Sequence, residues 1–386
     1  MAHSVDVDDV ILNFDPAKPH PRFRAMGLPA ALLIAEAALP TPPPRPSGAA
    51  PTPAPLAKPP SESADLSQFK GYDAVAVTWT AAEASAMAAL FTPGHPTSEW
   101  YEYRHNVESY VPLVTGAKAP FNDTRAGMAR YYHSLGLYFP CTISGKRVLL
   151  FKSGLHLDYD GPQLPVRRLM SEIAQAIEPK VFITTGTGGG IGADVKLGDV
   201  VVAGTVKFDC KQQFKNEPWA ANSYTPSALP TGALAAMTPT LMKVNASRIP
   251  GARPTPEIFS SPSDAVVTTD FFAFDDSTDY FGLQGLGRAC DMGDAMVADA
   301  LQAFKSMSWH AIRNASDPQM PNPDHNIEEA NQQAALIYAK YGGLTTAASL
   351  IATWAIIQAG ADPARAHAEI SPGFKLGRLP PQKRGR

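Results

Sequence analysis

Five glycines fall within the seven residues 186–192, directly behind the apolar run 181–184. The apolar run predicts a buried strand, and residues 199–206 predict a second strand shortly after the glycines. Glycines between two strands let the backbone approach a ligand closely and present amide hydrogens to it. The segment therefore predicts a sheet protein in which a glycine-rich turn forms part of a ligand site.

The rest of the central chain alternates between strand and helix patterns. Further strands are predicted at 74–78, 137–143, 147–152 and 309–312, helices at 81–90, 166–177 and 292–304, and two more helices on either side of Gly342 and Gly343. Alternating elements around a central sheet are typical of α/β proteins. We predict one three-layer α/β/α domain at residues 71–365, with a central mixed twisted sheet.

Both ends of the chain differ from this pattern. Residues 1–70 are predicted to form an N-terminal extension, with ten prolines at 40–60 that favour an extended linker. Residues 366–386 carry five lysines and arginines and predict a solvated basic tail.

Charge and apolar patterning exclude several classes of partner. The net charge of −3 gives no reason to expect a nucleic acid polymer or an anionic membrane. No apolar stretch is predicted to reach the length of a membrane span, and residues 28–39 lie too far from the start for a secretory signal. The three cysteines are far apart, which favours reduced thiols. We therefore expect a cytoplasmic protein.

The string TGTGGGIG at 185–192 also fits the TGxxxGIG fingerprint of short-chain dehydrogenases. A dinucleotide-binding turn opens a helix near the first strand of its domain, but here residues 193–199 lead into a strand. Those dehydrogenases also need a tyrosine with a lysine four residues later, and none of the twelve tyrosines has one. These three differences disfavour a dehydrogenase.

The longer run VFITTGTGGGIGADVKLGDVVVAG, residues 181–204, resembles the hallmark of the nucleoside phosphorylase/nucleosidase superfamily. That superfamily includes methylthioadenosine/S-adenosylhomocysteine nucleosidases and purine nucleoside phosphorylases. Its hallmark is a strand, a G-[ST]-x-G-G turn, a short loop ending in G-D and a further strand. The resemblance implies cleavage of a nucleoside N-glycosidic bond, with Thr187, Gly188 and Gly189 against the substrate.

Two segments on either side of that run extend the resemblance. In AVAVTWTAAEA, Glu83 stands where the nucleosidase branch has a glutamate that activates water. A glutamate in a first helical turn is otherwise a surface residue that compensates the helix dipole. In TDFF, Phe272 stands where an aromatic ring lies against the base, and the alternative is a core residue.

The segment CDMGDA at 290–295 resembles the E-M-E helix start of the superfamily. The resemblance implies that Asp291 and Met292 contact the substrate, with Met292 against the sugar. Gly293 stands where a second carboxylate should bind the ribose hydroxyls, which is a departure from the family. Asp294 follows one residue later and would substitute if the backbone shifts.

The segment RNASD at 313–317 resembles the R-x-x-S-D motif at the end of the superfamily core. The resemblance implies that Asp317 is the general acid, that Arg313 orients it and that Ser316 lies near the base. A carboxylic acid whose pKa is raised by burial can protonate a purine at N7 and make it a better leaving group. The alternative is a turn without chemistry, because Asp before Pro318 favours turns.

The nucleophile is predicted to be water. Purine phosphorylases place an arginine two residues before the glycine-hydroxyl pair, where this chain has Thr184. A phosphorylase remains an alternative, because Arg104, Arg125 or Arg130 could hold phosphate. A catalytically silent nucleoside- or nucleotide-binding protein is a third interpretation, which the missing carboxylate at Gly293 favours.

The remaining expectations concern ligands and assembly. His156 follows a small glycine turn and is predicted to contact a 5′ group or phosphate, with a plain loop histidine as the alternative. The expected partner is a small-molecule nucleoside or nucleotide, and neither an organic cofactor nor a metal is implied. The resemblance implies a homo-oligomer, a dimer or larger, with the aromatic segment 100–110 as an interface, a lid or a packed insert.

Overall fold

A computed structural model describes residues 49–114, 134–157, 164–237 and 251–360. Its strands, named β1 to β13 in chain order, are Thr52–Pro53, Ala74–Thr78, Tyr101–Tyr103, Gly136–Ile143, Lys146–Ser153, Val181–Gly190, Val200–Val202, Thr205–Phe208, Ser223–Tyr224, Ile258–Phe259, Ala265–Thr268, Ala289–Asp291 and Ser308–Asp317. Its α-helices, named α1 to α5, are Ala81–Phe91, Val107–Tyr110, Pro165–Ile177, Asp294–Leu301 and Ile327–Ala359. Short 3₁₀ turns occur at Ser67–Phe69 and Thr97–Glu99.

The strands of the described part belong to one mixed sheet. The main order is β1-β4-β5-β2-β6-β12-β11-β8-β9, with β13 beside β6 and β7, β10 beside β7, and β3 beside β4. Strands β5, β2, β6 and β13 run parallel to one another, whereas β4 and β12 are antiparallel to their neighbours β5 and β6. The predicted α/β class with a mixed central sheet is confirmed.

Helices cover both faces of this sheet. Along β2, Val75 and Val77 pack into the cluster that contains α3 and α4, and Ala74 and Ala76 pack into the cluster that contains α1 and α5. Successive side chains of a strand point to opposite faces, so a strand buried on both faces is apolar throughout. The arrangement is the predicted three-layer α/β/α sandwich.

Strand β6 is longer than predicted and absorbs most of the glycine run. The prediction of a turn beginning at Gly186 is wrong, because β6 continues to Gly190. Strand β13 pairs with β6 from Val181 to Gly189, and β12 pairs with its last two residues. These neighbours satisfy the backbone groups that a turn would leave exposed. The glycine residues therefore form the end of strand β6 and extend the sheet into the predicted ligand site.

Helix α5 is continuous over 33 residues, so the prediction of two helices separated near Gly342 and Gly343 is wrong. The helix packs along β13, β6 and α1. Two glycines cost about 1 kcal/mol each in a helix interior, which burial of an apolar face outweighs.

The same helix corrects the expectation that no apolar stretch has the length of a membrane span. Helix α5 is long enough, and its most apolar window has a mean hydropathy of 1.2. However, 83% of that window is buried inside the protein. Its apolar residues therefore supply the core, as in the central helix of a globular domain.

Packed residues precede the predicted domain start at 71. Strand β1 pairs with β4, and Leu66 and Phe69 lie in the core. Residues 1–48 and 361–386, which hold most of the predicted extension and the basic tail, lie outside the described residues. The domain limits stay a prediction.

The aromatic segment 100–110 is a packed insert in this chain. Strand β3 pairs with β4, and Trp100, Tyr103 and Tyr110 are buried. Of the three roles predicted for the segment, the structure supports packing, and its role in an oligomer stays a prediction.

Candidate active site

A pocket lies where β2, β6 and β13 end beside the start of α4. It contains about 720 Å³ of space between protein atoms, counting its open mouth. Eleven predicted site residues line it: Glu83, His156, Thr187, Gly188, Gly189, Phe272, Asp291, Met292, Arg313, Ser316 and Asp317. The fold thus brings separate sequence motifs together in one site.

Six lining residues were not among the predicted ligand-contacting residues, although Gly293 was identified as the position that lacks the second carboxylate. These are Trp79, Thr80, Ala273, Cys290, Gly293 and Tyr338. Trp79 and Thr80 connect β2 to Glu83, so their position next to a predicted residue was a usable signal. Tyr338 comes from α5, which no motif connects to the site. Its hydroxyl lies 2.7 Å from Thr80 Oγ1.

Glu83 is fixed in the first turn of α1 by a capping box. Thr80 Oγ1 accepts a hydrogen bond from the Glu83 amide at 3.1 Å, and the Thr80 amide donates to Glu83 Oε2 at 2.9 Å. Oε2 also accepts from Thr78 Oγ1 at 2.6 Å and from the Trp79 amide at 2.9 Å. Oε1 accepts from the amide and the hydroxyl of Thr187, both at 2.6 Å. The carboxylate is therefore held rigidly between β2 and β6.

Glu83 is fully buried yet ionised. Burial raises its pKa, but the Arg313 charge and the hydrogen bonds from Thr187, Thr78 and Thr80 outweigh burial and lower the pKa overall. Arg313 Nη1 lies 4.0 Å from Oε1. Gly186 provides the space, because a Cβ there would collide with the Glu83 carboxylate.

Asp317, at the end of β13, has the opposite electrostatic environment. Asp317 is buried, and burial raises its pKa to about 6. The hydrogen bond from Ser316 Oγ, at 2.9 Å, lowers the pKa but does not outweigh burial. Gly189 lies opposite, where a Cβ would stand 3.2 Å from Asp317 Oδ2. Asp317 is thus a carboxyl group that burial keeps partly protonated near neutral pH, as a general acid requires.

Arg313 contacts other carboxylates. Its Nε donates to Asp294 Oδ2 at 2.8 Å, its Nη2 donates to Asp294 Oδ1, and the same Nη2 lies 3.0 Å from Asp291 Oδ2. Its Nη1 donates to the Thr187 carbonyl at 3.2 Å. The prediction that Arg313 orients Asp317 is therefore corrected: a bidentate partner in Asp294 takes the guanidinium, and Ser316 is the hydrogen-bond partner of Asp317.

Asp294 does not replace the missing second carboxylate. Asp294 stands at the start of α4, and its fully buried carboxylate is paired with Arg313. It lies behind the pocket wall and does not line the pocket. Asp291 instead reaches the pocket. Burial and the neighbouring Asp294 raise the pKa of Asp291, whereas Arg313 lowers it. The two aspartates share one cation.

The space next to Gly293 is filled by the Trp79 indole. A Cβ at Gly293 would lie 2.8 Å from Cε2 and Cζ2 of Trp79. The Arg313 guanidinium lies 4.7 Å from the centre of the same ring. The ring therefore occupies the place at which a longer side chain at position 293 would begin.

Gly293→Ala is expected to destabilise the protein by about 1–3 kcal/mol, because the added methyl overpacks against the indole. In a Trp79→Leu background the same change is expected to cost clearly less, since the ring is gone. Urea denaturation of the two single variants and the double variant measures this coupling. Equal losses in both backgrounds would show that the contact with the ring is not the cause.

The other predicted residues lie on the pocket walls. Phe272 is half-buried, with its ring centre 6.2 Å from that of Phe274, so it presents part of its ring to the pocket. Met292 is also half-buried, and His156 is nearly covered. Their substrate contacts stay predictions.

None of the three arginines predicted as alternative phosphate ligands is placed at the pocket by the described residues. Arg104 pairs with Glu62 at 3.0 Å and with Glu102, away from the pocket. Arg125 and Arg130 lie outside the described residues. Within the described ranges, no group of three or more His, Cys, Asp or Glu side chains is arranged to hold a metal ion.

Comparison with solved structures gives matches at low identity. A mutant of Helicobacter pylori MTAN with 5′-methylthioadenosine in its active site is 13% identical, with a TM-score of 0.44 over 74% of this chain and 96% of that chain. Futalosine hydrolase of Helicobacter pylori is 13% identical, with a TM-score of 0.42 over 74% and 97%. The 5′-methylthioadenosine/S-adenosylhomocysteine nucleosidase of Neisseria meningitidis is 16% identical, with a TM-score of 0.38 over 72% and 99%. No curated protein matches the chain.

The sequence model of the phosphorylase superfamily matches residues 106–341. This range is more than half of the chain and contains β6, β13 and every pocket motif except the segment around Glu83. The match agrees with the superfamily that the glycine run and the R-x-x-S-D motif indicate. The chain belongs to the phosphorylase superfamily of nucleoside phosphorylases and nucleosidases.

Proposed function

We propose that this protein is a nucleosidase that hydrolyses the N-glycosidic bond of a purine nucleoside or a 5′-modified relative. One observation carries the proposal: the same pocket holds two carboxyl groups whose surroundings shift their pKa values in opposite directions. Such a pair is the usual arrangement for one acid and one base in a single site. Asp317 is the acid and Glu83 is the carboxylate that acts on water.

Asp317 acts on the leaving base. As the bond between C1′ and N9 breaks, its electron pair moves into the purine, and Asp317 donates a proton to N7. A proton donor of this kind is worth about 10²–10⁴ in rate. The dry surroundings that raise the pKa of Asp317 supply the protonated form.

Glu83 acts on the sugar and the water. Its fixed negative charge stabilises the positive charge that develops on the sugar ring. As the oxygen of the attacking water bonds to C1′, the water gives a proton to Glu83 Oε1, from which the Thr187 hydroxyl turns away. The products are the neutral base and the free sugar, after which Glu83 releases its proton to solvent and Asp317 takes one up. The hydrogen bonds from the Thr187 amide, the Thr78 hydroxyl and the loop amides keep the carboxylate in place during the reaction.

The charges of the pocket favour water over phosphate. Glu83, Asp291 and Asp317 line it, and Arg313 is the one arginine among the lining residues within the described ranges. The donors of Arg313 are directed at Asp294, Asp291 and Thr187. A phosphate dianion would meet these carboxylates without a free guanidinium to bind it.

The activity is tested by incubating the purified protein with adenosine, inosine, guanosine, methylthioadenosine or AMP, with and without phosphate. We expect free base and free sugar to form without phosphate, and chromatography measures both products. A sugar 1-phosphate formed only with phosphate would show a phosphorylase. Binding by thermal shift without release of base would show a silent binding protein.

A further inference from the structure

The Trp79 indole holds a hydrogen-bond donor with no partner. The side chain is 6% exposed and lines the pocket, and its Nε1 has essentially no accessible surface and no hydrogen-bond partner among the described residues. An indole N–H can only donate. A buried donor without an acceptor is costly, so each such group in a folded protein calls for an explanation.

The unpartnered atom lies at the wall where the superfamily motif has its second carboxylate. A Cβ at Gly293 would stand 3.2 Å from Trp79 Nε1. Arg313 covers the ring on one face, at 4.7 Å from its centre. No side chain of residue 293 separates the N–H edge of the ring from the pocket.

Asp291 supplies an acceptor at the same wall. Its Oδ2 receives the amides of Gly293 and Asp294 at 3.0 and 2.8 Å, with Arg313 Nη2 at 3.0 Å. Its Oδ1 receives one hydrogen bond, from Thr268 Oγ1 at 2.6 Å. A carboxylate oxygen has two lone pairs, so Oδ1 retains acceptor capacity.

We propose that Trp79 determines sugar specificity, and this inference rests on the proposed function. The indole N–H donates to the oxygen of one ribose hydroxyl, the 2′ or the 3′, and that hydroxyl donates to Asp291 Oδ1. A ribose hydroxyl can accept a hydrogen bond from the indole N–H and donate one to Asp291 Oδ1. The second carboxylate of the superfamily motif could only accept a hydrogen bond from such a hydroxyl. The contact requires the ring to turn its N–H edge toward the pocket, since Nε1 is covered in this structure.

The first test is kinetic. Trp79→Phe removes the N–H and keeps an aromatic ring beside Arg313 and Gly293. We expect kcat/KM to fall about tenfold more for adenosine than for whichever of 2′-deoxyadenosine and 3′-deoxyadenosine lacks the recognised hydroxyl. Equal losses on all three nucleosides would overturn the inference, because they would show a purely structural ring.

Trp354→Phe is the matched control. Its indole N–H is bound to Ser144 Oγ at 2.9 Å, and the residue does not line the pocket. Any change in kcat/KM caused by this variant should be the same for all three nucleosides. A loss that differs among the sugars is therefore expected for Trp79→Phe alone.

The second test observes the N–H directly. The chain has five tryptophans, so ¹⁵N-labelled protein gives five indole signals, and the signal lost in Trp79→Phe is that of Trp79. In Asp317→Asn protein, which consumes substrate slowly, we expect adenosine to move this signal downfield. The deoxynucleoside that lacks the recognised hydroxyl should leave the signal unmoved. Cleavage by the wild type with an unmoved signal would refute the role of Trp79 and leave the nucleosidase intact. A moved signal without cleavage of any nucleoside would refute the nucleosidase alone.

Discussion

Replacing Asp317 by Asn is expected to lower kcat/KM for nucleoside hydrolysis by about 10²- to 10⁴-fold, the usual contribution of a positioned general acid. Asparagine has nearly the same shape and can still accept the hydrogen bond from Ser316 Oγ. It cannot transfer a proton to the purine and return to its starting state. Steady-state rates with the best substrate of the nucleoside panel measure the loss.

The pH profile separates loss of the acid from loss of structure. Because burial raises the pKa of Asp317 to about 6, its protonated form dominates below that pH and declines above it. We expect kcat/KM of the wild type to fall about tenfold per pH unit above about pH 6, and the Asn variant to lose this dependence. A variant with the same thermal unfolding midpoint but unchanged activity would exclude Asp317 as the acid.

Much of the site was predictable because its motifs lie at the ends of neighbouring parallel strands. Glu83 follows β2, Thr187 lies on β6 and Asp317 ends β13, and these strands are adjacent in the sheet. The carboxyl ends of adjacent parallel strands meet at one edge, so motifs separated by a hundred residues come together there. The resemblance to the superfamily motifs identified these residues, and the strand patterns placed them at the ends of strands.

The parts that were not predictable depend on tertiary contacts. The length of β6 follows from its pairing with β13 and β12, which local sequence does not reveal. Helix α5 passes through Gly342 and Gly343 because the sheet buries its face. Trp79 has no motif of its own, and its place beside Gly293 appears only when β2 and α4 are folded next to each other.

The partners of Arg313 were mispredicted for a similar reason. A motif indicates which residue types occur together, but not which carboxylate a guanidinium selects among several nearby ones. Asp294 offers a bidentate geometry from the start of α4, and such pairs are the strong ones. The positive charge of Arg313 therefore compensates the carboxylates of Asp291 and Asp294. Arg313 thereby positions the part of the pocket wall that carries Asp291.

Arg313→Met is accordingly expected to lower the free energy of unfolding by about 3–5 kcal/mol, because it leaves Asp291 and Asp294 buried without their cation. Burial and Asp294 already raise the pKa of Asp291, and loss of the cation raises it further. The destabilisation should therefore be largest where the carboxyl groups are ionised and should shrink as the pH falls and they become protonated.

Urea denaturation at pH 8 and pH 5.5 measures the effect, and Arg288→Met is the matched control. Arg288 also pairs with two aspartates, Asp194 at 2.7 Å and Asp264 at 3.3 Å, but about a third of its side chain is exposed. Surface pairs contribute about 0–1 kcal/mol, so its removal should cost far less. Similar losses in the two variants would mean that water reaches the Arg313 cluster. A large loss confined to Arg313→Met would show that one buried cation holds together the pocket wall that carries Asp291.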